Sequence, residues 1–179
     1  MNKSDEQLYQ EMLLGSQQAF SLLYHRYFDK LCWFAQQYLY NRAEAEDIVQ
    51  EVFTKVIESP KLFDASQKFS TWIFTLTANR CKNALRDEAN RHRLHQENLP
   101  TQNTQEPNIS YDEALLKTQL SKVYKSLNEK EKKLFVLRFE QSYNTKEIAN
   151  ILDIPEGSVK SGLFYLLKKI KESLSSYAR

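Results

Sequence analysis

The chain has 179 residues, a formal net charge of +2 and only three glycines and four prolines. Apolar–polar alternation is scarce, so we expect an all-helical protein of one mid-sized or two small domains. Cys32 and Cys81 are too few for a disulfide framework or a zinc site and indicate buried free thiols. The N-terminus lacks the apolar stretch of a signal peptide, and no run approaches the ~20 apolar residues of a membrane span, which predicts a soluble, cytoplasmic protein.

Four helices are predicted in the first half of the chain. A capping box, in which Ser4 and Gln7 exchange hydrogen bonds with the backbone, opens the first one. Apolar residues spaced three and four apart indicate the others, with a break at Asn41-Arg42 and a stop at Pro60. The predicted bounds are 5–14, 17–39, 43–58 and 70–93.

The predicted helix 43–58 carries a polar stripe opposite its apolar face. Asp47 and Glu51 are like charges at i,i+4, which mildly destabilises an isolated helix, and the stripe has little opposite-charge pairing of its own. A basic partner would turn that cost into binding energy, whereas the alternative is an ordinary solvated face. The polar stripe consists of Asp47, Gln50, Glu51 and Thr54, and the apolar face of Ile48, Val49, Val52, Phe53, Val56 and Ile57.

Aromatic residues lead from a loop at 63–70 into a basic helix. Basic groups that follow a backbone, together with groups able to hold unstacked bases, suit single-stranded nucleic acid. The alternative is that Trp72, Ile73, Phe74 and Leu76 are core, which we expect for most of them. The loop, Asn79 and the basic face are then left for function. That face comprises Arg80, Lys82, Arg86, Arg91 and Arg93, with Asn79 and Asn83.

The composition changes abruptly at residues 95–110, HQENLPTQNTQEPNIS, which are polar and carry two prolines. Such a segment has little to bury, so we predict a flexible linker between domains 1–94 and 111–179. Apolar spacing then predicts one helix through 111–127. Asn128 and Glu131 form a second capping box, whose helix is expected to end near Phe139.

Residues 144–171 predict a helix-turn-helix. Asn144 and Glu147 form a third capping box, and Asp153-Ile154-Pro155 interrupts the helical spacing. The second helix of such a unit can enter a DNA major groove. An ordinary helical hairpin is the alternative.

Four segments in this order resemble the extracytoplasmic-function group of sigma factors of bacterial RNA polymerase. The resemblance runs from Ala19 to Leu174 apart from the linker, and its order and spacing make it specific. It implies two small helical domains that bind core polymerase, direct it to a two-part promoter and help open the DNA. It also implies an anti-sigma factor as a partner. The segments are AFSLLYHRYFDKL, AEDIVQEVFTKVIE, FSTWIFTLTANRCKNALR and LNEKEKKLFVLRFEQSYNTKEIANILDIPEGSVKSGL.

The resemblance also implies roles for single residues. Asp47, Gln50 and Glu51 match positions that dock on the clamp helices of the largest polymerase subunit, and Thr54 completes their stripe. Phe63, Asn79 and the loop 63–70 match the pocket for a base flipped from the non-template strand of the minus-ten element. Arg138, Lys160, Ser161 and Phe164 match positions that meet the minus-thirty-five element. Further candidates for DNA contact in the helix-turn-helix are Thr145, Lys146, Ser158, Tyr165 and Lys168.

The second helix of the helix-turn-helix departs from the family pattern. Where the family commonly has several arginines, this chain has Gly162, Tyr165 and Leu167. Gly162 lowers helix propensity by roughly 1 kcal/mol, and the missing cations would weaken the salt-dependent part of DNA binding. Lys168, Lys169 and Lys171 are the cations that could compensate.

Nothing in the sequence predicts catalysis, a cofactor or a metal. A glycine-rich phosphate loop is missing, and His25, His92 and His95 lack the spacing of metal ligands. Two other functions stay open on the residues alone. The chain could be a helix-turn-helix regulator that binds a symmetric duplex site without polymerase, or a helical protein-interaction module without DNA specificity.

Overall fold

The computed structural model describes residues 3–39, 41–59, 62–64, 66–94 and 123–175. Within these ranges every regular element is helical. The chain divides into two compact units, Met1–Gln102 and Asn103–Arg179. The linker predicted at 95–110 and most of the helix predicted at 111–127 lie outside the described residues. The domain limits at 94 and 111 therefore stay predictions.

Over its described residues the first unit has four α-helices, and their bounds agree with the predicted ones to within one residue. The capping box of Ser4 and Gln7 forms as expected. Asn41, predicted as part of a break, caps the third helix, because its side chain accepts a hydrogen bond from Ala43 N at 3.0 Å. The helices are α1 (Asp5–Leu13), α2 (Gln17–Leu39), α3 (Arg42–Glu58) and α4 (Phe69–Leu94).

The core of the first unit forms around α2, which contacts the other three helices. Phe34 of α2 and Phe74 of α4 are fully buried, with ring centroids 5.2 Å apart. Trp72 and Leu76, both considered as core, are only half-buried. The apolar face of α3 is narrower than predicted, because the side chain of Ile57 is 53% exposed.

Polar contacts fix the start of α4 against α1. The carboxylate of Glu6 accepts a hydrogen bond from Phe69 N at 3.1 Å, which satisfies one of the free amides at a helix N-terminus. Partial burial raises the pKa of Glu6, but hydrogen bonds from backbone amides outweigh it and lower the pKa overall. Asp5 accepts hydrogen bonds from Arg26 and Tyr27 of α2. The N-terminal helix therefore positions the helix that carries the basic face.

Cys32 and Cys81 are buried free thiols, as predicted. Burial, together with nearby carboxylates, raises the pKa of Cys32 to about 12. The thiol is therefore protonated near neutral pH and unreactive, because the thiolate is the nucleophilic form.

The second unit contains the predicted helix-turn-helix. Both capping boxes form, at Asn128 with Glu131 and at Asn144 with Glu147. The helix expected to end near Phe139 is α-helical only as far as Phe135 and then continues as a π-helical turn, Val136–Glu140. Residues 123–126 are helical as well. The α-helices that follow are α5 (Glu129–Phe135), α6 (Thr145–Leu152) and α7 (Glu156–Ser175).

Gly162 of α7 faces Leu134 of α5. A Cβ atom at this position would lie 2.6 Å from Leu134 Cδ1, and Leu134 is itself buried. Gly162 therefore has a packing role in addition to its place in the departure from the family's arginine pattern. The position faces a neighbouring helix, and glycine allows the close approach.

Candidate functional site

The polar stripe of α3 is a continuous exposed surface. Asp47, Gln50, Glu51 and Thr54 are all exposed, and the Thr54 hydroxyl donates to Gln50 O at 2.9 Å. Val49 and Val52 on the other side of the helix are buried. The predicted division of this helix into a core face and a polar face is confirmed, except that Ile57 is exposed.

The two carboxylates of the stripe differ in their surroundings. Glu51 Oε2 accepts from Arg80 Nε of α4 at 2.5 Å, and both side chains are partly exposed. The expectation that the stripe has little pairing holds within α3 but not across helices. Over the described ranges, the carboxylate of Asp47 makes no hydrogen bond or ion pair. Asp47 is therefore the more available acceptor for an external cation.

The outer face of α4 combines amides with cations. Asn79, Asn83 and Arg86 are exposed at i, i+4 and i+7, so they lie along one side of the helix. Arg80 and Lys82 are half-buried, and Arg80 is bound to Glu51. The arrangement presents amide donors and acceptors next to positive charge, which suits a nucleic-acid strand.

Phe63 is packed inside an aromatic cluster. Its side chain is only 8% exposed. Its ring centroid lies 4.9 Å from that of Tyr9, 5.1 Å from that of Trp72 and 5.6 Å from that of Phe69. The ring therefore anchors the loop to α1 and α4. Polar loop side chains, among them Ser66 and Gln67, are exposed beside it.

Hydrogen bonds join the two helices of the helix-turn-helix. Asp153 adopts a left-handed conformation with φ of 59°, which ends α6, and Ile154 N donates to Ala149 O at 3.1 Å. Thr145 of α6 donates to Glu156 Oε1 of α7 at 2.8 Å, and the same oxygen accepts from Lys160 at 2.9 Å. Two predicted DNA contacts thus share one carboxylate. The sequence analysis did not single out Glu156, although its i,i+4 spacing to Lys160 predicts an ion pair on a helix.

The outward face of α7 carries four of the predicted DNA contacts. Ser161, Phe164, Tyr165 and Lys168 are exposed, while Leu163 and its neighbours on the opposite side are buried. The Ser161 hydroxyl donates to Ser158 O at 3.1 Å. The predicted face of the helix is therefore solvent-accessible and available to a ligand.

The remaining candidates of the second unit divide into structural and exposed groups. Arg138 Nη1 donates to Tyr143 O at 3.0 Å and so stabilises the turn before α6, although its side chain stays exposed. Lys146 and Ser158 are exposed near the start of α6 and of α7. These positions surround the N-terminal ends of both helices, where backbone amides favour anions.

Lys169 is not a free cation on the DNA-facing side. Its ammonium donates to Ser126 O at 2.7 Å and to Glu131 Oε2 at 3.0 Å. Partial burial raises the pKa of Glu131, but backbone and Lys169 hydrogen bonds lower it overall. The expectation that Lys169 compensates for missing arginines is therefore wrong, because its charge is used within the unit.

Comparison with known proteins agrees with this arrangement. The family described as Sigma-70 region 2 matches residues 23–91, and Sigma-70, region 4 matches residues 125–172. The chain is 31% identical to the ECF RNA polymerase sigma factor SigW of Bacillus subtilis, over 82% of this chain and 84% of that protein. It is 26% identical to the ECF RNA polymerase sigma-E factor of Haemophilus influenzae, over 96% and 95% of the two chains.

Two of the solved structures that share the fold are complexes. The sigma factor RpoE of Bartonella quintana, in complex with the anti-sigma factor NepR, has a TM-score of 0.69 at 19% identity over 87% of this chain and 96% of that one. CnrH, in complex with the cytosolic domain of CnrY, has a TM-score of 0.63 at 18% identity over 97% and 99%. Such identities establish the helical architecture alone.

The fold and the two matched regions define a bacterial transcription-initiation factor of the Sigma-70 class. Within that class the chain belongs to the ECF sigma factors. It binds core RNA polymerase and directs promoter-specific initiation. Over the part of the chain that the structure describes, no helix is long and apolar enough to cross a membrane, and no cluster of His, Cys, Asp or Glu is placed to hold a metal ion.

Proposed function

We propose that the first unit docks on core polymerase through α3 and holds the melted non-template strand along α4, while the second unit reads the upstream promoter element. In this proposal residues 1–94 act as sigma region 2, residues 95–110 as the linker and residues 111–179 as sigma region 4. The protein acts in the cytoplasm as a binding factor and not as an enzyme.

The polar stripe of α3 carries the proposal. Asp47 offers an uncompensated carboxylate, Gln50 an amide and Glu51 a carboxylate shared with Arg80. A basic helical partner, such as the clamp helices of the largest polymerase subunit, complements that surface in charge. Thr54 lies at the end of the stripe, and its hydroxyl already donates a hydrogen bond to Gln50 O of the same helix.

The adjacent α4 supports strand capture on the same unit. The ion pair of Glu51 and Arg80 connects α3 directly to α4, so both surfaces belong to one packed set of helices. Asn79 and Asn83 can form hydrogen bonds with the edges of unstacked bases, while Lys82 and Arg86 can approach phosphates. Phe63 supports the loop 63–70 from within the aromatic cluster and does not offer an open stacking face.

The exposed face of α7 supports upstream-element binding. Ser161, Phe164, Tyr165 and Lys168 point away from the core of the second unit. Arg138, Thr145, Lys146, Ser158 and Lys160 lie on or next to the helix-turn-helix and complete the proposed surface.

We also propose that an anti-sigma factor binds this chain. The two solved structures compared above are complexes, one with the anti-sigma factor NepR and one with the cytosolic domain of CnrY. An anti-sigma factor that covered the α3 stripe would compete directly with core polymerase.

Run-off transcription with core polymerase from the source bacterium tests the docking assignment. Asp47→Arg should lose promoter-specific transcripts at limiting sigma, because a cation then faces a basic partner. Glu129→Arg, which reverses an exposed carboxylate in the other unit, is the matched control and should retain activity. Equal transcript yields from both variants, with helical content preserved, would contradict the assignment of α3.

A further inference from the structure

One ion pair joins the two proposed binding surfaces of the first unit. Glu51 belongs to the polar stripe of α3, and Arg80 lies on α4 between Asn79 and Asn83 in the sequence. Arg80 Nε donates to Glu51 Oε2 at 2.5 Å, and the two side chains are 37% and 52% exposed. Over the part of the chain that the structure describes, neither side chain has a further hydrogen bond or ion pair. A residue of the docking surface and a residue of the strand-binding surface are therefore each other's partners.

The pair opposes the use of Arg80 as a phosphate contact. The charge-assisted hydrogen bond to the carboxylate engages the guanidinium group that would meet a DNA strand. A phosphate at the same place would also lie close to the negative charge of Glu51, and like charges repel. Asn79 and Asn83 are uncharged and do not offset this repulsion. The part of α4 next to α3 is therefore less cationic in the fold than its sequence indicates.

The pair is weak enough to exchange partners. Both side chains are partly exposed, and such pairs contribute little to stability because water and salt screen the charges. A basic partner on the α3 stripe would place its own cation next to Glu51, neutralise the carboxylate and repel Arg80. A fully buried pair would resist this exchange, since separating its charges would leave each of them without water or partner.

We propose that Glu51 restrains Arg80 in the free protein and that docking on core polymerase releases Arg80 to bind the backbone of the melted strand. The ion pair is then an autoinhibitory contact that makes strand binding depend on docking. This inference rests on the proposed roles of α3 and α4. Because the coupling between two binding sites is reciprocal, a bound strand strengthens docking by the same factor.

Strand binding by the free, full-length chain tests the restraint. A fluorescent single-stranded oligothymidylate is titrated at low salt with the wild type, Glu51→Gln, Arg80→Gln and the double variant. Glu51→Gln should raise the affinity about two- to fivefold, the range that coupling across an exposed ion pair supplies. Arg80→Gln should have little effect alone but should abolish the gain in the double variant. The slope of affinity against salt should steepen by about 0.7 in Glu51→Gln, the value of one phosphate contact on a single strand.

Glu58→Gln is the matched control for charge. Glu58 is an exposed carboxylate of α3 that lies two turns beyond Glu51 and belongs to neither proposed surface. Its replacement removes the same charge without touching the ion pair, so the affinity for oligothymidylate should stay at the wild-type value. The inference is overturned if Glu58→Gln and Glu51→Gln raise the affinity equally, if Glu51→Gln does not raise it, or if the gain persists without Arg80.

The holoenzyme provides the second arm, because docking should act on Arg80 as Glu51→Gln does in the free chain. With core polymerase saturated by the full chain, Arg80→Gln should lower the affinity for oligothymidylate about two- to fivefold. Equal effects of Arg80→Gln in the free and the docked chain would overturn the inference.

Permanganate footprinting of promoter opening separates this inference from the proposed function. If Asn79→Ala prevents opening while Arg80→Gln has no effect on opening or on oligothymidylate binding, α4 keeps its proposed role and only the restraint is refuted. If neither variant changes opening, strand capture by α4 fails and the inference fails with it.

Discussion

The two units present different chemistry on their exposed helices. In the first unit, α3 exposes the carboxylate of Asp47, and α4 exposes amides and the cation of Arg86. In the second unit, α7 exposes two aromatic rings, and two of its lysines are paired with carboxylates on the same helix. Binding through the first unit should therefore depend strongly on charge, while upstream recognition should depend more on shape and apolar contact.

This contrast has a physical consequence for salt dependence. Contacts between opposite charges at an exposed interface weaken as ionic strength rises, because mobile ions screen them. Apolar contacts in a groove are not screened in this way. The affinity of the first unit for core polymerase should fall with salt more steeply than the sequence preference contributed by α7.

The largest expected effect is on polymerase binding. Asp47→Arg should weaken the affinity for core polymerase by about tenfold to a hundredfold, because repulsion replaces attraction across the interface. A fluorescence titration at two salt concentrations measures it, and the deficit should shrink at high salt. Thr54→Ala should change affinity little, since its hydroxyl is bonded to Gln50 O. A larger loss for Thr54→Ala than for Asp47→Arg would reverse the proposed order of importance.

Two arginine substitutions on α7 distinguish a position packed against α5, Gly162, from an exposed one, Tyr165. Gly162→Arg should destabilise the second unit by about 1–3 kcal/mol, because any side chain there collides with Leu134. Tyr165→Arg should leave stability unchanged and raise affinity for DNA of any sequence, with a salt slope steeper by about one unit. Thermal unfolding and DNA titration measure the two effects. Unfolding at the same temperature for Gly162→Arg and the wild type would show that α5 can move aside.

Lys169 and Lys168 are neighbours in the sequence, but we expect Lys169 to stabilise the second unit and Lys168 to contact DNA. Lys169→Ala should lower the stability of the second unit by about 1 kcal/mol, because it removes hydrogen bonds to Ser126 O and Glu131. Lys168→Ala should leave stability unchanged and lower DNA affinity equally on all sequences. Denaturation curves and binding isotherms of both variants check this division. It would be contradicted if Lys169→Ala weakened DNA binding without changing stability.

Acid should weaken both units through carboxylates whose pKa is lowered in the fold. Glu6 and Glu131 both have a pKa below the usual 4.5, so each stabilises the folded state above that value. That stability, of order 0.3–1 kcal/mol for Glu6 at the helix N-terminus, is lost as pH falls through the folded pKa. Glu6→Gln should therefore unfold at a lower temperature than the wild type at pH 7, and the difference should shrink as pH falls below 4.5. A difference that grows at pH 3 would mean that the sign is wrong.

The smallest expected effect concerns the ion pair of Glu51 and Arg80. Both side chains are partly exposed, so their coupling should contribute only about 0.2–1 kcal/mol to stability. A double-mutant cycle with Glu51→Gln and Arg80→Gln measures it by thermal unfolding. If the coupling is absent in salt-free buffer as well, the two surfaces of the first unit are not linked through this pair.

The sequence alone determined the helices and the pattern of their faces. Capping boxes at Ser4, Asn128 and Asn144, the interruption at Asp153 and the polar stripe of α3 all depend on residues within about four positions of each other. Local hydrogen bonding and helical periodicity decide such features, so a linear pattern is sufficient to predict them. The resemblance to sigma factors followed from the order of those segments.

Only the tertiary structure decided which side chains on different helices contact each other. Gly162 packs against the side chain of Leu134 on a neighbouring helix. The ion pairs of Lys169 with Glu131 and of Glu51 with Arg80 also join different helices. Phe63 similarly packs on Tyr9, which lies more than fifty positions earlier in the chain. Helix crossing and packing bring such residues together, and the spacing of residues along one helix contains no information about what lies on the next.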